Sequence, residues 1–116
     1  MGKDKLRRFA EIDTFSNVVQ LDAGKPLKGK WQADFFKSNN LVVLELACGK
    51  GEYTVNLGRL FPQKNFVGID YKGNRIWRGA KTALEDNVTN VGFLRIQIEM
   101  LLDFFGDGEV DEIWIN

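Results

Sequence analysis

The sequence predicts an α/β protein whose parallel sheet carries helices on both faces. From Leu41 onward, apolar runs of strand length alternate with segments of helical periodicity. A loop with two glycines, Cys48-Gly49-Lys50-Gly51, joins the first strand to the first helix. Two acidic residues, Glu45 and Asp70, lie at or near the ends of the first two strands. Because such sheets bind ligands at the carboxyl ends of their strands, we expect these features to share one site.

The first strand and helix flank that loop. The strand is predicted over residues 41–47, and its position before the loop indicates that it is the central strand. The helix begins at Glu52 and ends before Pro62. Its predicted buried face has the i, i+4, i+7, i+8 spacing and consists of Tyr53, Leu57, Leu60 and Phe61.

Two further strand–helix pairs and a last strand complete the pattern. A strand over residues 66–70 precedes a helix over residues 73–87, whose buried stripe contains Ile76, Ala80 and Leu84. A strand over residues 91–96 precedes a helical turn over residues 100–105, and residues 113–115 begin a fourth strand. Sheets of this class usually carry about six strands or more. We therefore expect the sheet to be incomplete in this chain, and the chain to be part of a longer protein.

Residues 1–40 are predicted to form a basic lead-in to this domain. Gly24, Pro26 and Gly29 interrupt regular structure, so we expect an extended segment with one short helix near residues 31–36. Residues 41–116 are then the N-terminal part of a single ligand-binding domain.

The composition excludes several classes of function. The chain has no histidine and one cysteine, Cys48, which excludes Ser-His-Asp and Cys-His nucleophile pairs, histidine-based zinc sites and an internal disulfide. No run approaches the ~20 apolar residues of a membrane span, and the N-terminus lacks a signal-peptide core. We expect a protein of the reducing cytoplasm, with no membrane or metal partner.

The net charge of zero hides a strong asymmetry. Residues 1–31 carry a net charge of +3, residues 32–84 carry +4 and residues 85–116 carry −7. The second predicted helix has a cation at every third residue: Lys72, Arg75, Arg78 and Lys81. This row is either a solvated helix face or, with the cations at positions 3, 5, 7 and 8 of a flexible arm, a strip that contacts RNA phosphates.

The loop favours S-adenosylmethionine over other nucleotide ligands. A dinucleotide loop needs a third glycine where Thr54 stands, and the charge of Glu52 opposes a phosphate at the helix start. A P-loop needs Ser or Thr after Gly-Lys, which this loop lacks. S-adenosylmethionine has no phosphate, and Glu45 can attract its ammonium group directly or through water. The alternative for Glu45 is a buried carboxylate that the protein itself satisfies.

The other candidate residues each have a structural alternative. Asp70 can accept hydrogen bonds from both ribose hydroxyls, or cap the next helix. Gln97 follows the third strand and can accept a hydrogen bond from the adenine amine, or be solvated. Gly49 and Gly51 let a ligand approach the main chain, or only satisfy the geometry of the turn.

Several segments resemble the bacterial tRNA (guanine-N7)-methyltransferases, which have a Rossmann-like class I methyltransferase fold. These segments are Leu44-Glu45-Leu46-Ala47-Cys48-Gly49-Lys50-Gly51, Val67-Gly68-Ile69-Asp70, Asn90-Val91, Ile113-Trp114-Ile115-Asn116 and the lead-in Lys28-Gly29-Lys30-Trp31. The resemblance implies methyl transfer from S-adenosylmethionine to N7 of a guanine in tRNA. It implies cofactor binding by Glu45, Gly49, Gly51 and Asp70, whereas Gln97 stands where the family usually has Asp or Asn.

The resemblance also implies that the catalytic residue is absent from this chain. In the family a Phe-Pro-Asp-Pro motif, whose Asp is assigned the catalytic role, would follow Asn116. We therefore expect the chain to bind cofactor weakly and not to methylate tRNA, with Arg75, Arg78 and Lys81 as candidate RNA contacts. Two alternatives stay open: a Rossmann methyltransferase acting on a nucleobase amine or small molecule, and an NAD-linked or non-catalytic nucleotide-binding module.

Overall fold

Five parallel strands form one sheet in the computed structural model, which describes residues 2–115. In chain order they are β1 (Val18–Val19), β2 (Leu41–Leu46), β3 (Lys64–Asp70), β4 (Val91–Arg95) and β5 (Glu112–Ile115). Their order across the sheet is β1-β4-β3-β2-β5, and every neighbouring pair is parallel. The strand order reverses at β2, which lies between β3 and β5, so a ligand crevice is expected at the carboxyl end of β2.

Helices cover both faces of the sheet, as predicted. The α-helices are α1 (Gly2–Glu11), α2 (Leu21–Gly24), α3 (Glu52–Leu60) and α4 (Gly73–Glu85). Apolar residues of α3 and α4 pack on the face that carries Val43, Phe66 and Phe93. The π-helix Trp31–Phe36 and the 3₁₀-helix Ile98–Asp103 lie against the opposite face. The remaining 3₁₀-helices are Ile12–Thr14 and Lys25–Leu27.

Residues before β2 are more regular than predicted. The expectation of an extended, flexible arm is wrong, because residues 2–11 form α1 and residues 18–19 pair with β4. The helix at residues 31–36 is confirmed, in π-helical form. Contacts with α4 stabilise α1: Trp77 Nε1 donates to Glu11 Oε1 at 2.8 Å, and Ile12, just after α1, is buried. The division into a lead-in and a domain at residue 41 stays a prediction.

The predicted helix faces need correction. Tyr53 and Leu60 of α3 are exposed, as is Phe61 just after it, and the buried residues of the helix are Thr54, Val55, Leu57 and Gly58. Gly58 sets this rotation, because a Cβ there would collide with the Val91 side chain of β4. In α4, Leu84 is exposed and Ala83 is buried instead.

The sheet also departs from the prediction in its middle strand. β3 is the middle strand of the five, because β1 adds an unpredicted strand beside β4. β2 nevertheless keeps the position at which strand order reverses. Asn116, which follows residues 113–115 of the predicted fourth strand, lies outside the described residues.

Candidate cofactor site and basic surface

The loop after β2 has an unusual backbone. Ala47, Gly49 and Gly51 all have positive φ angles, of 58°, 59° and 76°. At Gly49 an added Cβ would meet nothing within 4 Å, so only the backbone conformation favours glycine there. At Gly51 an added Cβ would lie 2.6 Å from the Phe93 ring and 3.2 Å from Gly79 Cα. The first glycine thus leaves open space beside the loop, and the second lets the loop pack closely against α4 and β4.

Asp70 ties this loop to the end of β3. Its Oδ2 accepts a hydrogen bond from Gly49 N at 2.9 Å, and its Oδ1 accepts one from Lys72 N at 3.0 Å. The N-cap residue of α4 is Lys72, which makes no side-chain capping bond, so Asp70 does not cap the helix directly. Each carboxylate oxygen has a second lone pair and can still accept from a ligand.

An open cleft of about 290 Å³ lies at the ends of β2, β3 and β4. Its polar lining includes Asp70, Tyr71, Gln97 and Glu99, and it contains two carboxylates and no Lys or Arg. The structure therefore brings Asp70 and Gln97 together, as their positions at strand ends predicted. Gln97 is exposed, with its side chain available to a ligand. We call this the cofactor cleft.

Glu45 does not line the cofactor cleft. Its carboxylate is buried at 1% exposure beneath the loop and accepts a hydrogen bond from the Thr54 hydroxyl. Gly68 lies opposite Glu45 in the β2–β3 register, and a Cβ there would approach Thr54 Oγ1 to 2.9 Å. Direct attraction of a ligand ammonium by Glu45 stays a prediction. Sequence reasoning missed Thr54 as a site residue, because it considered only that Thr54 stands where a dinucleotide-binding loop has its third glycine.

Cys48 is buried within the same loop. Burial raises the pKa of its thiol well above the usual value, and the charges of Asp70 and Glu45 raise that pKa further. The thiol is therefore protonated at neutral pH, and its environment is that of a packing residue and not of a nucleophile.

A basic surface forms where α1 meets α4. Four cations surround the buried ring of Trp77, at 4.5 to 5.8 Å from its centroid: Arg7, Arg8, Arg78 and Lys81. Glu11 is the carboxylate among them, with Trp77 Nε1 at 2.8 Å and Arg7 Nη1 at 3.4 Å. The structure thus joins two of the three predicted RNA contacts to α1, and we call this group the Trp77 cluster. Arg75 lies apart and lines a different cleft.

A comparison with protein families identifies the class of fold and chemistry. A family model described as "Putative methyltransferase" matches residues 39–116. The chain belongs to this methyltransferase family.

Individual relatives of this methyltransferase chain agree with the resemblance seen in its sequence. It is similar to the "tRNA (guanine-N(7)-)-methyltransferase" of Christiangramia forsetii, with 56% identity over 99% of this chain and 54% of the relative. The protein of the same name from Bacteroides fragilis is 48% identical over 100% of this chain and 48% of the relative. The resemblance is confirmed, and the chain spans about half the length of the curated relatives it matches.

Solved structures confirm the predicted fold class. A 30S ribosomal A1408 methyltransferase from an uncultured bacterium aligns with a TM-score of 0.61 and 20% identity, over 72% of this chain and 40% of that one. A methyltransferase described as antibiotic related aligns with a TM-score of 0.62 and 19% identity, over 72% and 43%. At these identities the likeness concerns the Rossmann-like methyltransferase fold alone.

Two further features were searched for in residues 2–115. No helix there has the length and apolar character needed to cross a membrane. No group of three or more acidic or cysteine side chains in that range is arranged to hold a metal ion.

Proposed function

We propose that this chain is the cofactor-binding part of an enzyme that methylates N7 of a guanine in tRNA, with S-adenosylmethionine as methyl donor. The observation that carries the proposal is Asp70, which tethers the loop at Gly49 and faces the cofactor cleft beside Gln97. The relatives of the chain are named for this reaction at 56% and 48% identity. A cytoplasmic location stays a prediction.

The charge of the cofactor cleft fits S-adenosylmethionine. Its lining contains Asp70 and Glu99 and no Lys or Arg, which suits a ligand with positive charge and no phosphate. NAD would bring two phosphates to this lining, so the charge argues against the NAD-linked alternative. When bound, S-adenosylmethionine supplies a methyl group on a sulfonium centre.

Each residue of the site has a defined part in holding the cofactor. The free lone pairs of Asp70 can accept from the two ribose hydroxyls, and the Gln97 carbonyl can accept from the adenine amine. Gly49 leaves room beside the main chain for the ligand. Glu45 acts from beneath the loop, where its charge favours a nearby ammonium group while Thr54 fixes its position.

The chemistry asks little of these residues beyond position. Guanine N7 carries a lone pair and no proton, so no general base is needed, which suits a chain without histidine. Alignment alone can lower a barrier by about 7–11 kcal/mol in favourable cases. Holding the cofactor rigidly is therefore the main task of this part of the enzyme.

Calorimetry with S-adenosylhomocysteine and NAD tests the cofactor. We expect binding of S-adenosylhomocysteine and none of NAD, and about tenfold weaker binding or worse in Asp70→Ala, because charge-assisted hydrogen bonds to the ribose are lost. A thermal melt of Asp70→Ala without ligand separates this loss from a folding defect, because Asp70 also holds the main-chain N–H groups of Gly49 and Lys72. Binding of NAD without S-adenosylhomocysteine would replace the proposal by the NAD-linked alternative.

The Trp77 cluster is the proposed RNA-binding surface. The double reversal Arg78→Glu with Lys81→Glu is expected to weaken tRNA binding and to lower its dependence on salt concentration, since fewer counterions are released. The exposed pair Lys25→Glu with Lys37→Glu makes the same change of charge outside the cluster and serves as the control. Equal losses in both double variants would remove the cluster from the proposal.

A further inference from the structure

A second cleft, of about 390 Å³, opens between α1 and the start of α4. Four cations and two aromatic rings dominate its lining: Lys5, Lys72, Arg75, Arg95, Phe9 and Tyr71. No carboxylate belongs to the lining. The volume is within the range of small-ligand sites, which begins at about 300 Å³. We call it the cationic cleft.

The charges of this cleft are only partly offset by nearby acids, since Arg95 also lines a neighbouring cleft that contains Asp13 and Asp22. None of its four cations takes part in an ion pair within residues 2–115. Asp70, two residues before Lys72, accepts main-chain hydrogen bonds from Gly49 and Lys72. Four like charges around one concave space repel each other, so an anion in that space would stabilise the arrangement.

Arg95 is held in place at the back of the cationic cleft. Its guanidinium lies 4.5 Å from the ring centroid of Phe9 and 4.8 Å from that of Tyr71. Its Nη1 donates to Gln20 Oε1 at 3.2 Å, while its Nε is buried without a hydrogen-bond partner. Gly73 leaves room for this approach, because an added Cβ there would lie 2.6 Å from Ile12 Cδ1 and 3.2 Å from Arg95 Nε. The cleft therefore has one cation fixed by packing and three on exposed, adaptable side chains.

Tyr71 lines both the cofactor cleft and the cationic cleft. The two clefts thus adjoin, and their linings have opposite charge. A ligand group bound between Lys72 and Arg75 would lie next to the site proposed for the cofactor. A cationic position beside the cofactor site is suited to bind an anionic group of the substrate.

We propose that the cationic cleft binds a phosphate group of the RNA chain that is being methylated, beside the cofactor cleft. The inference rests on the proposed function for the identity of the polyanion. A phosphate group can also come from a free nucleotide or from inorganic phosphate, and the experiment separates these sources.

The test compares two charge-matched double variants in tRNA binding. Lys5→Gln with Arg75→Gln removes two exposed cations from the cleft, and Lys25→Gln with Lys37→Gln removes two exposed cations elsewhere. We expect the cleft variant to bind tRNA about tenfold more weakly and to lose about one unit of salt slope, as the loss of one phosphate contact implies. The tRNA affinity of the control variant should stay within about threefold of that of the unaltered chain, since the control keeps the cleft cations.

Amide chemical shifts give an independent measurement. Inorganic phosphate, guanosine 5′-monophosphate and guanosine are titrated into the isotope-labelled chain. Phosphate and the nucleotide should shift the amides of Gly73 and Asn74, and guanosine should not. Amide shifts with the nucleotide, combined with equal tRNA affinity in the two double variants, would assign the cleft to a free nucleotide and overturn the proposal. The absence of both the amide shifts and the loss of tRNA affinity would overturn it as well.

Failure of this inference is distinguishable from failure of the proposed function. Calorimetry with S-adenosylhomocysteine reports on the cofactor cleft, which neither Lys5 nor Arg75 lines. If S-adenosylhomocysteine binds and the two double variants bind tRNA equally, only the cationic cleft fails. If S-adenosylhomocysteine does not bind, the proposed function fails whatever the tRNA result.

Discussion

Replacement of Glu109 by Gln should destabilise the chain, because this carboxylate holds three main-chain N–H groups. Its Oε1 accepts from Gly29 N at 2.7 Å and from Gly106 N at 2.8 Å, and its Oε2 accepts from Trp31 N at 2.9 Å. It thereby fastens the lead-in segment 28–31 to the loop before β5. Trp31 is fully buried, stacks on Phe105 with ring centroids 5.0 Å apart, and donates from Nε1 to Phe104 O at 2.8 Å.

The size of the effect follows from the geometry of Glu109. A Gln amide oxygen can keep the two bonds of Oε1, but its NH₂ group then faces the N–H of Trp31 and cannot accept from it. A hydrogen bond to a charged group is worth about 1.5–3 kcal/mol, so Glu109→Gln should lower the free energy of unfolding by about that amount. For a chain of this size the melting temperature should fall by about 6–12 °C, at roughly 4 °C per kcal/mol.

Urea unfolding and a thermal melt of Glu109→Gln measure this loss, and Asp107→Asn is the matched control. Asp107 lies in the same loop and is exposed, and its replacement by Asn removes one negative charge, as Glu109→Gln does. The control should remain within about 0.5 kcal/mol of the unaltered chain, as most surface substitutions do. Equal unfolding free energies for the two variants would refute the view that Glu109 anchors the lead-in.

Three further outcomes follow from the site. Gly51→Ala should cost about 1–3 kcal/mol in urea unfolding, because the new methyl group meets Phe93 and the φ of 76° disfavours a side chain; Gly49→Ala, with strain alone, should cost less. Burial raises the pKa of Cys48, so the stability it contributes is complete below the unfolded thiol pKa of about 8.5 and is lost as pH rises above it. Cys48→Ala should flatten that decline in denaturation curves measured from pH 7 to 10. Residues 1–116 contain no Phe-Pro-Asp-Pro motif, to which the family resemblance assigns the catalytic Asp, so this chain should not methylate tRNA with labelled S-adenosylmethionine; turnover would contradict that assignment.

The elements from β2 onward could be predicted because the sequence signals that determine them lie within a few neighbouring residues. The apolar run of β2, the glycines after it and the helical spacing of α4 each act within a few neighbouring residues. Asp70 was found in the same way, since the end of a strand in a parallel sheet points to one crevice. α1 was missed because its stability depends on Trp77, which lies 66 residues beyond Glu11. The buried face of α3 was wrong because the close contact of Gly58 with Val91 sets its rotation, and periodicity does not reveal such a contact.

The cationic cleft could not be predicted from the sequence either, because residues far apart in the chain form it. Its cations come from α1, from the start of α4 and from the end of β4, and no spacing in the sequence links Lys5 to Arg95. The row of cations along α4 was visible, but the structure divides it: Arg75 faces the cleft, and Arg78 with Lys81 joins the Trp77 cluster. A periodic charge pattern predicted a surface and could not predict that it has two parts.

Zero net charge is therefore a poor guide to the ligands of this chain. What a ligand meets is local: two carboxylates and no cation in the cofactor cleft, and four cations and no carboxylate in the cleft beside it. At physiological ionic strength charges are screened over about 8 Å, so each cleft acts on its ligand almost independently of the total. With Tyr71 shared by both linings, a cationic cofactor and an anionic RNA would be drawn to adjoining sites without competing for either. A variant with a carboxylate in the cationic cleft should therefore bind RNA more weakly and bind S-adenosylhomocysteine as before, although the net charge of the protein is altered equally in both measurements.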